Sequence, residues 1–175
     1  MIISIEELKK YNEFSNKTDE ELILMENGIE ELIRKYTNNN FQNRNIRFVC
    51  SSINGILNNS ITHLKLGDTI QISNSKFNNG LYVIQSIDNS SITLDKTLYD
   101  EEKMTITKIE YPSSIKLGVI NILKWEISHR AKVGIQSESL SRHSVTYFNQ
   151  DGNNQVIGYP TSLLGFLKPY MKARF

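Results

Sequence analysis

The chain has 175 residues and a mass of 20.1 kDa, enough for one or two domains with a buried core. Hydrophobic residues make up 39% and charged residues 22%, and no stretch approaches the roughly 20 apolar residues of a membrane-spanning helix. A single cysteine, Cys50, excludes an intramolecular disulfide and a multi-thiolate zinc site. Charged residues occur too close to the N-terminus for a signal peptide, so we expect the protein to be intracellular when it is synthesised.

The small net charge of +1 hides an uneven distribution along the chain. Residues 1–45 hold six basic and nine acidic side chains, whereas residues 111–175 hold eight and three. An acidic first part and a basic last part suit head-to-tail contact between copies, or a basic end against an acidic partner. Solvated charges scattered over the surface are the alternative interpretation.

Two capping patterns predict helices in the first part of the chain. Residues 4–7 (Ser-Ile-Glu-Glu) fit a capping box and predict a short helix from Ile5 to about Asn12. Residues 18–21 (Thr-Asp-Glu-Glu) repeat the pattern before a longer helix. Its apolar side chains follow one stripe: Leu22, Met25, Ile29, Leu32, Ile33 and Tyr36.

Between about Ile46 and Ile109 the apolar period changes from helical to two. Turn sequences separate the alternating runs: Asn58-Asn59, Asn78-Asn79-Gly80 and Asp88-Asn89-Ser90. Five or six short strands with such turns close most economically as a small barrel or a rolled sheet. The sequence therefore predicts a small β-domain inserted at residues 46–110.

After Pro112, Ser113 or Ser114 is placed to cap a helix that runs from about Ile115 to Ala131. Its apolar arc is too broad for one shallow contact, which predicts a central helix that also packs on a second subunit. The arc consists of Ile115, Val119, Ile120, Ile122, Leu123, Trp125 and Ile127.

Residues 137–148 read as an extended segment, and a last helix is expected from Thr161 to about Met171, where Pro169 kinks it or ends it early. The predicted fold class is therefore α+β. A helical core of about four helices, residues 1–45 and 111–175, carries an inserted small β-barrel-like module.

No pattern in the sequence predicts a catalytic, metal or cofactor site. The histidines His63, His129 and His143 have no partner at metal-binding spacing, and Glu126 with His129 reads as a solvated helical pair. Cys50 lies in an apolar run and reads as a buried structural thiol. Residues 100–102 (Asp-Glu-Glu) read as a solvated loop. We expect no enzymatic activity and no cofactor; an enzyme whose site a single sequence does not reveal is an alternative.

A small barrel also raises the alternative of a nucleic-acid-binding module. The candidate residues are aromatic and basic: Phe48, Phe77, Tyr82 and Tyr99 with Lys76, Lys96 and Lys108. Residues 46–110 hold six basic and seven acidic side chains, a poor balance for attracting phosphates. Core and loop anchors are the competing interpretation of the aromatic residues.

Three stretches, in their order and spacing, resemble the phage head–tail connector (adaptor) family, whose members attach beneath the portal ring of tailed bacteriophages. The first is a short helix followed by a long one, beginning Ile5-Glu-Glu-Leu-Lys. The second comprises Asn78-Asn-Gly-Leu-Tyr-Val-Ile, Ile92-Thr-Leu-Asp and Ile109-Glu-Tyr-Pro. The third runs from Gly134-Ile-Gln-Ser-Glu-Ser to a helix and the ending Leu167-Lys-Pro-Tyr-Met-Lys-Ala-Arg-Phe.

The resemblance implies a structural, non-enzymatic protein of the virion, present in the host cytoplasm during assembly. Connectors of this kind form closed rings, usually twelve-fold, around the DNA channel. The implied partners are other copies in a dodecamer, the portal protein, and a tail or head-completion protein. DNA passes through without sequence-specific binding, and no membrane is involved. A β-insertion is not universal in the family.

Two interfaces are expected from these observations. Connectors are thought to grip the portal with their C-terminal region, and cations beside aromatic anchors are typical interface material, which predicts a portal interface of Lys168, Tyr170, Lys172, Arg174 and Phe175. The central helix and the extended segment predict a subunit interface of Ile120, Leu123, Trp125, Ile127, Ser137, Glu138, Val145 and Tyr147. A solvated tail and an ordinary hairpin are the respective alternatives.

Overall fold

The computed structural model describes residues 1–58, 63–88, 91–130, 137–140, 143–146 and 154–173, and for 137–140 and 143–146 the backbone alone. Contacts divide the chain into two units. We call Met1 with Asn39–Tyr111 the barrel unit, and Ile2–Asn38 with Pro112–Phe175 the two-helix unit. The domain boundaries expected from the sequence lay at residues 46 and 110.

Six antiparallel strands close the barrel unit in the order β1-β2-β5-β4-β3-β6. The strands are β1 (Gln42–Ile53), β2 (Ile56–Asn58), β3 (Thr69–Ser73), β4 (Gly80–Asp88), β5 (Ser91–Leu94) and β6 (Glu101–Ile109). Alternate side chains face a common core that includes Cys50, Leu57, Ile70, Ile72, Tyr82, Ile84, Ile92, Leu94, Met104 and Ile106. This alternation is the period of two seen in the sequence.

The first strand begins at Gln42, before the period changes in the sequence. Gln42 pairs with Ile109 and Asn43 with Lys108, but the register then jumps so that Arg47 pairs with Thr107. Residues 44–46 are extra in β1 and form an irregularity, and the polar side chains of residues 42–45 break the apolar alternation. The start of the strand therefore could not be read from periodicity.

The two-helix unit is built on α2 (Asp19–Thr37) and α3 (Ser113–His129), with α1 (Ile5–Leu8) and a 3₁₀ helix (Asn12–Phe14) before them. The capping box of α2 is confirmed: the Thr18 hydroxyl accepts from the Glu21 N–H, and the Glu21 carboxylate accepts from the Thr18 N–H, both at 3.2 Å. The helix ends at Thr37, and the C-cap residue Asn38 takes the left-handed conformation with φ 49°.

The start of α3 differs from the expectation. Pro112 occupies the N-cap position, and no side chain caps the helix. The Ser114 hydroxyl instead shares a 2.6 Å hydrogen bond with the Tyr170 hydroxyl. Tertiary contact with the end of the chain thus replaces the predicted local cap.

The last predicted helix is also shorter than expected. Helix α4 covers only Thr161–Leu164, and a 3₁₀ helix, Gly165–Tyr170, continues it. Pro169 lies in that 3₁₀ segment, where it has no N–H to donate and its ring disfavours an α-helical turn. Earlier, α1 ends at Leu8 rather than near Asn12.

The predicted fold class is therefore wrong. The principal element is the six-stranded antiparallel sheet, and the helices that accompany it are few. In the described part of the chain only α2 and α3 are longer than four residues among the α-helices. The sequence suggested four helices because capping signals and apolar spacing mark the start of a helix more reliably than its length.

Two short antiparallel strand pairs complete the described elements. Strands β7 (Ser137–Leu140) and β8 (His143–Thr146) pair antiparallel, with Glu138 opposite Val145. Strands β9 (Gln155–Val156) and β10 (Tyr159–Pro160) flank a two-residue turn. The expected extended segment at 137–148 is thus a local strand pair over its described residues, and 141–142 and 147–148 lie outside them.

Two glycines in the helix interiors give opposite predictions. A Cβ at Gly118 of α3 would overlap the Phe166 ring, whereas a Cβ at Gly28 of α2 meets no atom within 4 Å. We expect Gly118→Ala to displace Phe166 and lower the free energy of unfolding by about 1–3 kcal/mol. The matched control Gly28→Ala should raise it by about 0.5–1 kcal/mol, because alanine favours the helix. Urea unfolding followed by circular dichroism checks both, and equal effects of the two substitutions would contradict this packing.

Candidate functional site

The acidic, histidine and cysteine side chains are the first candidates for a metal or catalytic site. Among the described residues, no three His, Cys, Asp or Glu side chains could together hold a metal ion, and none of the helices is long and apolar enough to cross a membrane. Cys50 is 6% exposed, and burial raises the pKa of its thiol to about 11. Cys50 is therefore an unreactive core residue at neutral pH, as the sequence indicated.

Arg130 ties the β9–β10 hairpin to the end of α3. Its guanidinium donates to both carboxylate oxygens of Glu126, at 2.9 and 2.7 Å, and to the Gly158 carbonyl at 2.9 Å. The same group lies 4.9 Å from the Trp125 ring centroid and 4.8 Å from that of Tyr159. Glu126 is thus committed to Arg130 rather than paired with His129, whose ring stacks on Trp125.

The hairpin held by Arg130 presents a strained apolar residue. Ile157 and Gly158 form its turn with φ values of 52° and 82°. A β-branched side chain disfavours this left-handed conformation, which costs of order 1–3 kcal/mol and is found preferentially at functional sites. Ile157 is 42% exposed, so this strained turn places an apolar side chain at the surface.

Two outward-facing apolar surfaces lie on the long helices of the two-helix unit. The first, which we call the α2 face, is the row Leu24, Gly28, Leu32 and Tyr36 at four-residue spacing, together with Ile157. A groove of about 420 Å³ runs between the middle of this row and Ile157. Leu24, one turn before the groove, is 75% exposed.

The second surface, which we call the α3 face, comprises Leu117, Asn121, Leu163 and Phe166. These residues line a second groove of about 280 Å³ between α3 and α4. Leu117 is 61% exposed. The Phe166 ring covers Gly118. The hydrogen bond between Ser114 and Tyr170 holds the end of the same 3₁₀ helix, Gly165–Tyr170, against α3.

The chain end expected to contact the portal is fixed as far as Ala173. The Lys172 N–H donates to the Thr37 carbonyl at 2.8 Å, and the Asn38 side-chain amide donates to the Ala173 carbonyl at 2.7 Å. The side chains of Lys168 and Lys172 are exposed, and Tyr170 is half-buried against Ser114. The segment through Ala173 is therefore not a frayed tail; Arg174 and Phe175 lie outside the described residues.

The residues expected at the subunit interface do not form one surface. Ile120 and Leu123 are buried in the core of their own unit, so they offer nothing to a neighbour. Trp125 is half-buried against Tyr159, and Ile127 is half-buried on the same helix. Ser137, Glu138 and Val145 belong to the β7–β8 strand pair, and Tyr147 lies outside the described residues.

The barrel carries an aromatic pair on a hydrogen-bonded support. Phe77 and Tyr99 are 59% and 67% exposed, with ring centroids 5.8 Å apart, and the Lys76 ammonium lies 5.0 Å from the Phe77 centroid. The buried Asn78 side chain accepts from the Tyr99 N–H and donates to the Tyr99 carbonyl, both at 2.8 Å. Asn78 thus joins the loop before β4 to the loop before β6.

The Glu101 carboxylate completes this support. Its oxygens accept from the Ser75 hydroxyl and from the N–H groups of Lys76 and Phe77, at 2.7–3.0 Å. Partial desolvation acts in the opposite direction, but these hydrogen bonds hold the pKa of Glu101 below its usual range. The expectation that residues 100–102 form a solvated loop is therefore wrong for Glu101, which also begins β6.

The other nucleic-acid candidates are dispersed. Tyr82 lies in the barrel core and Phe48 packs against it. Lys108 forms a 2.7 Å ion pair with Asp68, and Lys96 donates to the Leu81 carbonyl at 3.3 Å while lying over the Tyr82 ring. Only Phe77, Tyr99 and Lys76 are brought together at the surface.

The sequence interpretation missed both apolar faces and the Glu101 support. Leu24 and Leu117 were visible as leucines outside the predicted stripes of their helices, which was the available signal. Leu32 and Tyr36 were assigned to the stripe of α2, but they are half-buried and line the α2 groove. The position of Ile157 and the role of Glu101 depend on contacts between distant segments. No protein-family model matches the chain, and a search of curated proteins finds no significant match.

Glu26 is a buried carboxyl group whose pKa is raised into the neutral range. Its Oε1 atom accepts from the backbone N–H groups of Ile2 and Ile3, and its Oε2 atom is buried without a hydrogen-bond partner. Burial, reinforced by the neighbouring Glu30 carboxylate, raises the pKa of Glu26 from 4.5 to about 7.

This shift predicts a defined pH dependence. Between pH 4.5 and about 7 the folded state binds the Glu26 proton and the unfolded state does not, so this group's stabilisation is complete below pH 4.5 and disappears as pH rises to about 7. Glu26→Gln keeps the acceptor and removes the charge, and should raise the free energy of unfolding at pH 8 by roughly 2 kcal/mol.

Urea unfolding across this pH range is the measurement for Glu26→Gln. Glu31→Gln is the matched control, because a hydrogen bond from Lys35 lowers the pKa of Glu31 and places its titration below the window. Equal pH slopes for wild type and Glu26→Gln would show that Glu26 is not the titrating group.

Proposed function

We propose that this chain is a structural head–tail connector of a tailed bacteriophage, which forms a ring beneath the portal and links the DNA-filled head to the tail. The observation that carries the proposal is the outward apolar face on each long helix, with Leu24 75% and Leu117 61% exposed. Isolated exposed leucines are ordinary, but Leu117 lines a groove with further apolar side chains, and Leu24 lies one turn before a second such groove. Such surfaces suit a protein that is covered on two sides in an assembly.

The fixed C-terminal segment supports a contact with the portal. Because hydrogen bonds hold the backbone through Ala173, the backbone that carries the exposed Lys172 starts from a defined position, and less backbone entropy is lost on binding. The neighbouring Arg174 adds a second cation. The portal protein would meet this basic end, a tail or head-completion protein would follow, and DNA would pass without sequence-specific contacts.

Charge reversal at the chain end tests the portal contact. We expect Lys172→Glu with Arg174→Glu to leave the fold unchanged but to weaken binding to portal-bearing heads at least about tenfold, or roughly 1.4 kcal/mol, and to leave heads without tails. Sedimentation of the protein with heads, and electron microscopy of the particles, measure these effects.

The control reverses two other exposed lysines, Lys10→Glu with Lys103→Glu, so that net charge is matched. Binding by this control should equal that of wild type. If the end-reversed protein also binds like wild type, the portal contact lies elsewhere. If purified virions contain no copies of the chain, it is not a connector.

The Phe77–Tyr99 pair with Lys76 favours one alternative, a nucleic-acid-binding barrel. Aromatic platforms stack successive bases of single strands at about 1–3 kcal/mol per base. Asp100 and Glu102 follow Tyr99 closely in the chain and oppose phosphates there. We therefore expect no gel shift with single-stranded DNA at physiological salt. A shift that disappears in Phe77→Ala with Tyr99→Ala, but persists in the surface control Lys10→Glu, would favour the alternative.

A further inference from the structure

We infer that the α2 face of one copy binds the α3 face of the next copy, so that a single head-to-tail contact joins neighbouring subunits. This inference rests on the proposed ring and names its subunit contact. The surfaces involved differ from the sequence-predicted interface, of which Ile120 and Leu123 are buried within their own unit.

The shape of the α2 face fits a protruding leucine. Four-residue spacing places Leu24, Gly28 and Leu32 about 6 Å apart along the helix, so Gly28 leaves a gap between two leucines. A Cβ at Gly28 would meet no atom within 4 Å, and Ile157 borders the same groove. This arrangement is a hole of the kind that receives a knob in helix packing.

The α3 face supplies the matching protrusion. Leu117 is 61% exposed beside Asn121, while Phe166 and Leu163 form an apolar base next to it. Phe166 is fixed over Gly118, and the 3₁₀ segment is held by the Ser114–Tyr170 bond, so the surface is preformed. A preformed surface loses little side-chain freedom on binding.

Charge favours the pairing of unlike faces. Around the α3 face, residues 113–121 and 161–173 contain Lys116, Lys168 and Lys172 and no acid. The α2 face is bordered by Glu20, one turn before Leu24, while Glu31 and Lys35 line its groove as an ion pair and add no net charge. Two α3 faces would therefore repel each other, whereas an α3 face and an α2 face attract.

The occupant is accordingly a second copy of this chain. Each copy carries one α2 face and one α3 face. A row of joined copies therefore has a free α2 face at one end and a free α3 face at the other. A heterologous contact of this kind produces a closed ring when its rotation closes. Contact of like faces would stop at a dimer.

Disulfide trapping distinguishes these arrangements. Gly28→Cys and Leu117→Cys place thiols at open positions of the two faces, and the native Cys50 is too buried to react, so wild type serves as the blank. We expect the double variant, oxidised as purified protein and when bound to portal-bearing heads, to give a ladder of dimers, trimers and larger species on non-reducing gels. Each single variant alone should give no dimer, and an equal mixture of the two should give dimers only.

Dimers from either single variant alone would overturn the inference, because they require like faces to meet. Absence of the ladder in both preparations of the double variant would also overturn it. The result also separates this inference from the connector proposal. If the double variant gives the ladder but virions do not contain the protein, the contact between copies is supported and the connector role is rejected. If virions contain the protein but the double variant gives no ladder, the connector role is supported and this contact between copies is rejected.

Discussion

The antiparallel pairing of β1 with β6 is the constraint on which the rest of the structure depends. Its register begins with Gln42 opposite Ile109, so the chain enters and leaves the barrel unit at one end of one strand pair. The Glu110 N–H donates to the Phe41 carbonyl at 2.9 Å, and the Phe41 and Tyr111 rings lie 4.9 Å apart. Because the chain returns where it left, residues 2–38 and 112–173 can form one unit although the barrel separates them in sequence.

The other end of the same strand pair organises the aromatic support. There Ser52 lies opposite Glu101, and the Ser52 hydroxyl donates to the Tyr99 carbonyl at 2.6 Å. The Glu101 carboxylate accepts hydrogen bonds from the Ser75 hydroxyl and from the backbone N–H groups of Lys76 and Phe77. The same strand pair therefore holds the point of chain return at one end and the support of Phe77 and Tyr99 at the other, with two register shifts between them.

Local chemistry accounts for the features that the sequence predicted well. The capping box at Thr18 and Glu21, and the buried state of Cys50, depend on near neighbours in the chain or on a plain apolar run. The start of β1 and the cap of α3 were wrong, because the bulge in β1 and the partner of Ser114 arise from tertiary pairing. The first and last helices are also shorter than predicted, so they do not make up the helical core that was expected. Glu101 looked like one of three solvated acids, since nothing local indicates that residues 75–77 donate to it. The exposed leucines of the apolar faces were legible only as leucines outside the predicted stripes.

In the proposed ring, rigidity compensates for the modest size of each face. Phe166 is fixed over Gly118, and Arg130, held between Trp125 and Tyr159, fixes the hairpin that bears Ile157. Preformed surfaces spend little of their interaction energy on ordering side chains. Ring closure adds a second effect, because a subunit leaves only when two contacts break together, and the second forms at high effective concentration. In such a ring, two small complementary faces on a stiff unit would hold each subunit to its neighbours, and the strained Ile157 would lie at one of these contacts.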